Sequence, residues 1–149
     1  GRSGAVDAAV ASDGWTIVTQ QTAEWNAEKA QQIVQSVIDS GESFNVIYAE
    51  NDDMAKGAVA ALDKANISHG VNGDVVVMGF DCNKWALEEL LAGNWNYDGQ
   101  CNPFQASYID EIIKTLESGG TIAEKTIIMD EKGFDASTIT QEDVDAYGI

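Results

Sequence analysis

Basic residues are scarce in this sequence, which has 8 Lys and Arg against 25 Asp and Glu and therefore a formal charge of −17. Such an acidic surface argues against nucleic acid or an anionic membrane as a partner, because both carry negative charge themselves. Long apolar runs are also lacking, although 44% of the residues are hydrophobic. None approaches the ~18–20 residues of a membrane span, so no membrane insertion is expected. At 149 residues the chain has the length of about one domain and can bury a core.

Several motifs of catalysis and metal binding are missing as well. Neither GxxxxGK[ST] nor GxGxxG follows a strand-like run, so the loops that cradle phosphates are absent. GxSxG, HExxH and a plausible cysteine–histidine pairing are also lacking. The two cysteines, Cys82 and Cys101, have neither zinc-ligand nor CxxC spacing. These absences argue against the enzyme and metal-site classes that depend on these motifs.

Strand-like runs alternate with helical patterns along most of the chain. The strand-like runs cover 15–20, 44–49, 74–80, 95–100 and 125–129, and the helical ones cover 26–40, 52–66, 84–92 and 104–118. The second and third strand-like runs are continuously β-branched and aromatic, as expected of strands covered on both faces. Such alternation is typical of right-handed βαβ units. We predict an α/β fold, a three-layer sandwich with a mostly parallel, Rossmann-like sheet.

Two further helices are predicted near the chain ends. Val6, Ala9 and Val10 share one face of a first helix that Gly14 ends, and "TITQEDVDAYGI" would hold a short helix capped by Thr140. A natural chain seldom begins inside a helix without a cap. This start therefore predicts that the sequence is a piece of a longer protein.

Polar side chains follow the predicted strands where parallel sheets bind ligands, outside the carboxyl ends of the strands. In chain order they are Trp25; Glu50, Asn51 and Asp52; Asp81, Cys82 and Asn83; and Gln100, Cys101 and Asn102. Arg2 would join them if a strand preceded its helix. This mixture suits a sugar, whose hydroxyls need donors and acceptors and whose C–H face stacks on an aromatic ring.

Other interpretations of the same residues remain open. Asp52 and Asn83 stand where helix N-caps are expected, and Asn51 and Asp81 fit either a cap or a ligand group. Trp25 taken alone would also fit hydrophobic packing. A third interpretation is Mg²⁺-dependent phosphoryl transfer, in which the metal would be held by Asp52, Asp53 and Asp81.

Three stretches, "ENDDMAKGAVAAL", "VVVMGFDCNKWALEELLAGNWN" and "QCNP", resemble the periplasmic sugar-binding proteins of the ribose/galactose type, which share their fold with the lac-repressor ligand domains. The resemblance covers nearly the whole chain and depends on N-D-x-M-A-x-G-A, G-F-D and Gln-x-x-Pro occurring in this order. In that family two α/β lobes close over a monosaccharide. The resemblance implies that residues 1–149 are the C-terminal lobe without its first strand.

The resemblance also implies a set of sugar contacts, namely Arg2, Trp25, Asn51, Asp81 and either Gln100 or Cys101. Trp25 would stack on the sugar ring, and the polar side chains would bind its hydroxyls. Equal spacing from Asp81 places the last contact at Cys101, whereas residue type favours Gln100. Asn51 would then be the ligand group, and Asp52 would cap the following helix.

A disulfide between Cys82 and Cys101 is a further expectation. Each cysteine follows the end of a predicted strand and the two strands should be neighbours, so a Cα separation of about 5.5–6 Å is feasible. An oxidising compartment would let the bond persist. Two small buried thiols are the alternative.

The resemblance implies a receptor that is not an enzyme, with no catalytic residue, no cofactor and no metal. It would feed an ABC sugar importer outside the cytoplasm, in the periplasm or as a cell-surface lipoprotein. Its partners would be a monosaccharide and the ABC transporter permease. The helix within 103–120 would cross to the N-terminal lobe, so its apolar stripe would pack on that lobe or on a second chain. The alternative from another class is the ligand-sensing domain of a lac-repressor-type transcription regulator.

Overall fold

Three parallel strands and one antiparallel strand form the central sheet. The computed structural model describes residues 1–149 as α1 (Arg2–Asp13), α2 (Ala27–Ser40), β1 (Val46–Tyr48), α3 (Asp52–Lys64), β2 (Val76–Asp81), α4 (Lys84–Leu91), β3 (Tyr97–Gln100), α5 (Ala106–Glu117), β4 (Gly133–Asp135) and α6 (Gln141–Tyr147). The strand order is β1-β2-β3-β4, and only β4 runs antiparallel. The predicted α/β class and mostly parallel sheet are confirmed.

Helices lie on both sides of this sheet. Helices α3 and α4 connect successive parallel strands, so right-handed crossovers place both on the same face. Helix α2 packs against α3, and α6 packs against α4. On the opposite face the guanidinium of Arg2, in the first turn of α1, lies over the ring of Phe80. The arrangement is the three-layer sandwich expected from the sequence.

The core lies between the sheet and the layer of α3, α4 and α6. Trp95, which follows α4 in the chain, is part of this core. The fully buried side chains also include Leu62, Val77, Leu87, Leu90 and Val144. The contact of α2 with α3 is especially close at Gly57, where an added Cβ would lie 2.0 Å from the carbonyl oxygen of Ala27. Only glycine allows the two backbones to approach this closely.

Side chains cap three of the helices. Asn26 Oδ1 accepts a hydrogen bond from the backbone N–H of Lys29 at the start of α2. Thr140 forms a capping box with Asp143 at the start of α6, as predicted. At α3 the prediction was wrong by one residue. Asn51, and not Asp52, is the cap, because its Oδ1 accepts from the backbone N–H of Met54 over 2.9 Å.

Two of the five predicted strands, 15–20 and 125–129, are not strands in the structure. Both segments are largely exposed, and no neighbour pairs with either of them. Their β-branched composition favours extended backbone, but a strand also needs a neighbour to complete its hydrogen bonds. The short strand β4 was missed, since Gly133 and Asp135 are poor strand formers.

Helix α5 occupies part of the predicted 104–118 range and buries none of its residues. Its apolar stripe, formed by Ile109, Ile113 and Leu116 and preceded by Phe104, is exposed to solvent. None of the helices combines the length and the apolar character needed to cross a membrane.

Candidate functional site

The carboxyl ends of β1, β2 and β3 meet at one edge of the sheet, here called the rim. Asp81 and Gln100 are register partners at the ends of β2 and β3. Asn51 begins α3 directly after the end of β1, and Cys101 follows Gln100 as an exposed side chain. The structure therefore brings four of the six predicted contacts to neighbouring strand ends.

Arg2 connects α1 to this rim. Its Nη2 donates to Asp81 Oδ1 over 2.8 Å, and its Nη1 donates to the carbonyl oxygen of Glu50. Both side chains of the ion pair are about one quarter exposed, at 24% and 29%. The guanidinium also stacks on Phe80 at 4.8 Å from the ring centroid. A planar cation with five donors is thus held at the rim beside a carboxylate acceptor.

An aromatic row lies under Arg2. Tyr48, Phe80 and Tyr97 project from adjacent strands on the same face, with ring centroids 5.1 Å and 6.4 Å apart in edge-to-face geometry. The Tyr48 hydroxyl donates to the Arg2 carbonyl oxygen. Sequence analysis assigned these residues only to strands. Side chains alternate between the two faces of a strand, and this alternation could have predicted that Phe80 lies at the site.

Asn51 is nearly buried, and its amide has a divided role. Its Oδ1 caps α3, which leaves its Nδ2 as the group available to a ligand. The cap reduces what Asn51 can offer a sugar, because one of the two lone pairs of Oδ1 is already occupied.

Trp25 lies apart from the other predicted contacts. It is 62% exposed and adopts a left-handed backbone with φ of 60° just before α2. Its ring borders a cavity of about 1000 Å³ that Ser3 and Glu50 also line. Trp25 is therefore not part of the hydrophobic core, and the cavity that it borders is lined by neither Arg2 nor Asp81.

Two carboxyl groups, which we call the acid pair, are fully buried directly beneath the rim. Asp52 in α3 and Asp98 in β3 are both 0% exposed and both lie beside Gly79: an added Cβ there would be 2.7 Å from Asp52 Oδ1, and Asp98 is the register partner of Gly79. Burial raises the pKa of Asp52 to about 6 and the pKa of Asp98 to about 8, and the charge of Asp52 adds to the shift at Asp98. Desolvation disfavours a charged carboxylate, so the pair retains a proton that exposed carboxyls lose.

The acid pair also contacts the residues that follow Asp81. Asp52 Oδ2 accepts from the backbone N–H of Asn83 over 2.8 Å and from its Nδ2 over 3.1 Å. Asp98 Oδ1 accepts from the Cys82 thiol over 3.8 Å. Asn83 precedes α4, but its side chain makes no capping hydrogen bond because it is turned towards Asp52. The expectation that Asp52 and Asn83 are conventional caps is corrected on both counts.

The predicted disulfide between Cys82 and Cys101 is not formed, and both cysteines are free. Cys82 has a left-handed backbone with φ of 61°, and its side chain points into the core towards Asp98. Cys101 continues past the strand end into solvent. Burial raises the pKa of the Cys82 thiol well above its usual range, with the charges of Asp98 and Asp52 adding to the effect. The alternative expectation of two buried thiols is correct for Cys82 and wrong for Cys101, which is exposed.

Potential metal ligands do not converge in this chain. No group of three or more His, Cys, Asp or Glu side chains has the geometry to hold an ion. Asp81 is paired with Arg2, and Asp52 faces Asp98 and Asn83. Asp52 and Asp81, two of the three aspartates considered for Mg²⁺, are therefore bonded to different partners.

Comparison with known proteins places this geometry in context. The family model described as the periplasmic binding protein domain matches residues 2–119. The fructose import binding protein FruE of Bifidobacterium longum is 32% identical over 124 residues, which are 82% of this chain and 36% of that protein. The D-apiose import binding protein of Actinobacillus succinogenes is 27% identical over 143 residues, covering 87% of this chain and 44% of that protein. The chain thus spans less than half the length of these relatives.

Solved structures show the same fold. A galactofuranose binding protein superposes with a TM-score of 0.82 at 21% identity, covering 95% of this chain and 48% of that one. An ABC transporter periplasmic solute binding protein from Actinobacillus succinogenes with bound D-allose superposes with a TM-score of 0.77 at 26% identity, covering 97% and 48%. In both cases the match extends over about half of the larger protein.

Proposed function

Since this chain belongs to the periplasmic binding protein domain family, we propose that it serves as one lobe of the solute-binding component of an ABC sugar importer. The observation that carries the proposal is the Arg2–Asp81 ion pair at the rim, with Gln100 beside it in register. A guanidinium and a carboxylate side by side offer a sugar both donors and acceptors. Relatives named as import binding proteins for fructose, apiose and ribose support this role over a repressor or a phosphotransfer enzyme.

A monosaccharide is the proposed ligand. Asp81 would accept hydrogen bonds from two adjacent hydroxyls, Arg2 and Asn51 Nδ2 would donate, and Trp25 would cover the apolar face of the ring. We assign the last polar contact to Gln100, although its Oε1 already accepts from the backbone N–H of Lys132 over 3.2 Å. Cys101 is kept as the neighbouring alternative.

We further propose that residues 1–149 form the C-terminal lobe of a two-lobe protein. Residues 15–20 and 44–49 both line the cavity of about 1000 Å³, and most of its lining residues are hydrophobic. One additional strand in this cavity would pair with β1 and give segment 15–20 a neighbour. The exposed stripe of α5 would pack on the N-terminal lobe or on a second chain. The complete receptor would act outside the cytoplasm and deliver its sugar to the permease.

Calorimetry with a panel of pentoses and hexoses tests the proposal on the full-length protein. One sugar should bind, and Asp81→Ala should weaken that binding, whereas Asp53→Ala at an exposed neighbouring position should not. The 149-residue chain should bind the same sugar only in the millimolar range or not at all. A lone lobe leaves much of the sugar in water, and association alone costs ~4–15 kcal/mol. Micromolar binding by the short chain would contradict the half-site arrangement, and no sugar bound by the full-length protein would contradict the function.

A further inference from the structure

The acid pair beneath the rim has an unusual feature. Asp52 Oδ1 and Asp98 Oδ2 are buried polar oxygens, and neither accepts a hydrogen bond from a donor of the chain. Both carboxyl groups lie beside Gly79, since Asp52 Oδ1 would be 2.7 Å from a Cβ at that position and Asp98 is its register partner on β3. Two ionised carboxylates in this position would repel each other without solvent screening. One proton placed between them removes one charge and converts two unsatisfied acceptors into a hydrogen bond.

The surroundings of the pair are built to accommodate this contact. Asp52 Oδ1 lies against β2 at Gly79, where an added Cβ would be 2.7 Å from this oxygen. Asp98 is the register partner of Gly79 on β3, so its side chain reaches Asp52 across a position without a side chain. The other titratable groups that act on the pair are the Cys82 thiol and the Asp81 carboxylate, and Asp81 is already paired with Arg2.

The oxygens not used within the pair hold the turn that presents Asp81. Asp52 Oδ2 binds the amide groups of Asn83, and Asp98 Oδ1 binds the Cys82 thiol. This turn is strained, since Asp81 and Cys82 have φ of 117° and 61°, which side chains with a Cβ rarely adopt. Strain of this kind persists only where surrounding contacts impose it. The acid pair supplies three of those contacts, and the backbone N–H of Ile149 and the guanidinium of Arg2 supply others.

We propose that Asp52 and Asp98 share one proton and act as positioning residues that orient Asp81 towards the ligand. When the proton leaves to solvent, the pair carries two adjacent buried charges and the carboxyl groups move apart. Their hold on Cys82 and Asn83 then loosens, and Asp81 loses its fixed orientation. Ligand affinity at the rim becomes sensitive to pH above the ordinary carboxyl range. The effect on the ligand depends on the proposed sugar-binding function, whereas the shared proton does not.

Nuclear magnetic resonance of the 149-residue chain without sugar tests the shared proton. The carboxyl carbons of Asp52 and Asp98 and the backbone amides of Cys82 and Asn83 should titrate together, well above the ordinary aspartate pKa of about 3.9. Asp98→Asn should abolish this transition, because the asparagine Nδ2 donates to Asp52 without a titrating proton. Asp52→Asn should do the same, and Asp53→Asn is the matched control that leaves the transition unchanged. Carboxyl carbons that titrate in the ordinary range, or amides that do not follow them, would refute the proposal.

Sugar titration of the full-length protein tests the positioning role separately. Affinity should fall about fivefold or more as the pair loses its proton, at the low end of typical couplings between sites. In Asp98→Asn it should be nearly independent of pH over the same range. Pair titration without a change in affinity would overturn the positioning role. A protein that binds no sugar, but whose carboxyl carbons and amides titrate as described, would contradict the sugar-binding function and support the acid pair.

Discussion

Arg2 and Asp81 form an ion pair across 2.8 Å, although one stands in the first turn of α1 and the other at the end of β2. The two groups satisfy part of each other's hydrogen-bonding capacity. A sugar that binds at the rim as proposed would meet a donor and an acceptor whose orientation is already set, which would lower the cost of ordering them.

Removal of Asp81 should weaken sugar binding by the full-length protein. Loss of a hydrogen-bonding partner with a charge costs about 1.5–3 kcal/mol, which corresponds to about a tenfold to a hundredfold weaker affinity. Asp81→Ala would also leave Arg2 without its partner, so Asp81→Asn is the milder variant. Calorimetry gives both affinities, and Asp53→Ala serves as a control. Wild-type affinity in Asp81→Ala would exclude Asp81 from the site.

Trp25→Ala should weaken sugar binding with little effect on folding. The side chain is mostly exposed, so its removal costs little buried apolar area. Loss of stacking on the sugar should lower the affinity several-fold, and sugar should perturb the fluorescence of Trp25 in the wild type. Urea unfolding of the variant provides the comparison. A large loss of stability would instead indicate that Trp25 packs against the rest of the fold.

The strands and helices around the core were predictable from the sequence. Whether segment 15–20 pairs with another strand, and whether Asp52 contacts Asp98, was not. The apolar runs at 44–49 and 74–80 predicted β1 and β2 because each is intrinsically suited to a buried strand. Segment 15–20 has a similar composition, but whether it pairs depends on a neighbour that composition does not specify. The acid pair was not predicted for the same reason. The sequence indicated only that Asp52 lies at the start of a helix and that Asp98 lies in a strand. Their contact exists only in three dimensions.

Stability should decline as pH rises through the range in which the acid pair loses its protons. In the folded chain the pKa of Asp52 is raised to about 6 and that of Asp98 to about 8. The unfolded chain releases these protons near pH 3.9, so the folded state binds more protons in between. The acid pair's contribution to the free energy of unfolding is complete below about pH 4 and is lost progressively up to about pH 8.

Urea midpoints measured as a function of pH check this prediction, and the difference between wild type and Asp98→Asn isolates the acid pair from other carboxyls. Asp143 has its pKa lowered, chiefly by the hydrogen bond from Lys132, and therefore acts in the opposite direction at acidic pH. A wild-type and variant difference that stays constant across the range would rule out a titrating pair.

Gly57→Ala should destabilise the chain by separating α2 from α3. The new Cβ would lie 2.0 Å from the Ala27 carbonyl oxygen, so backbone must move. Overpacking of this kind costs about 1–3 kcal/mol, while alanine in a helix returns about 1 kcal/mol. The matched control is Gly4→Ala in α1, where nothing lies within 4 Å of the added Cβ. Gly4→Ala should leave the urea midpoint unchanged or raise it, and equal effects at both positions would contradict the close approach.

The two thiols should react at very different rates. Cys101 is exposed, while Cys82 is fully buried and has a raised pKa that disfavours the reactive thiolate. A thiol reagent should therefore modify one cysteine rapidly in the native protein and the second only after unfolding. Mass spectrometry of Cys101→Ser identifies the fast site. If unreduced protein reacted with no thiol reagent even after unfolding, the cysteines would be oxidised and the prediction of two free thiols would be wrong.

The close packing of Gly79 against the acid pair limits how the sequences of related chains can vary. A side chain at position 79 would occupy the space of Asp52 Oδ1 and the ring of Trp95. Positions 52, 79 and 98 are therefore expected to change as a group among related chains. Where a relative replaces one member of the acid pair by a hydroxyl or amide residue, a donor takes over from the shared proton and glycine at 79 is still required. Where both carboxyls are lost, only the ring of Trp95 should still restrict position 79.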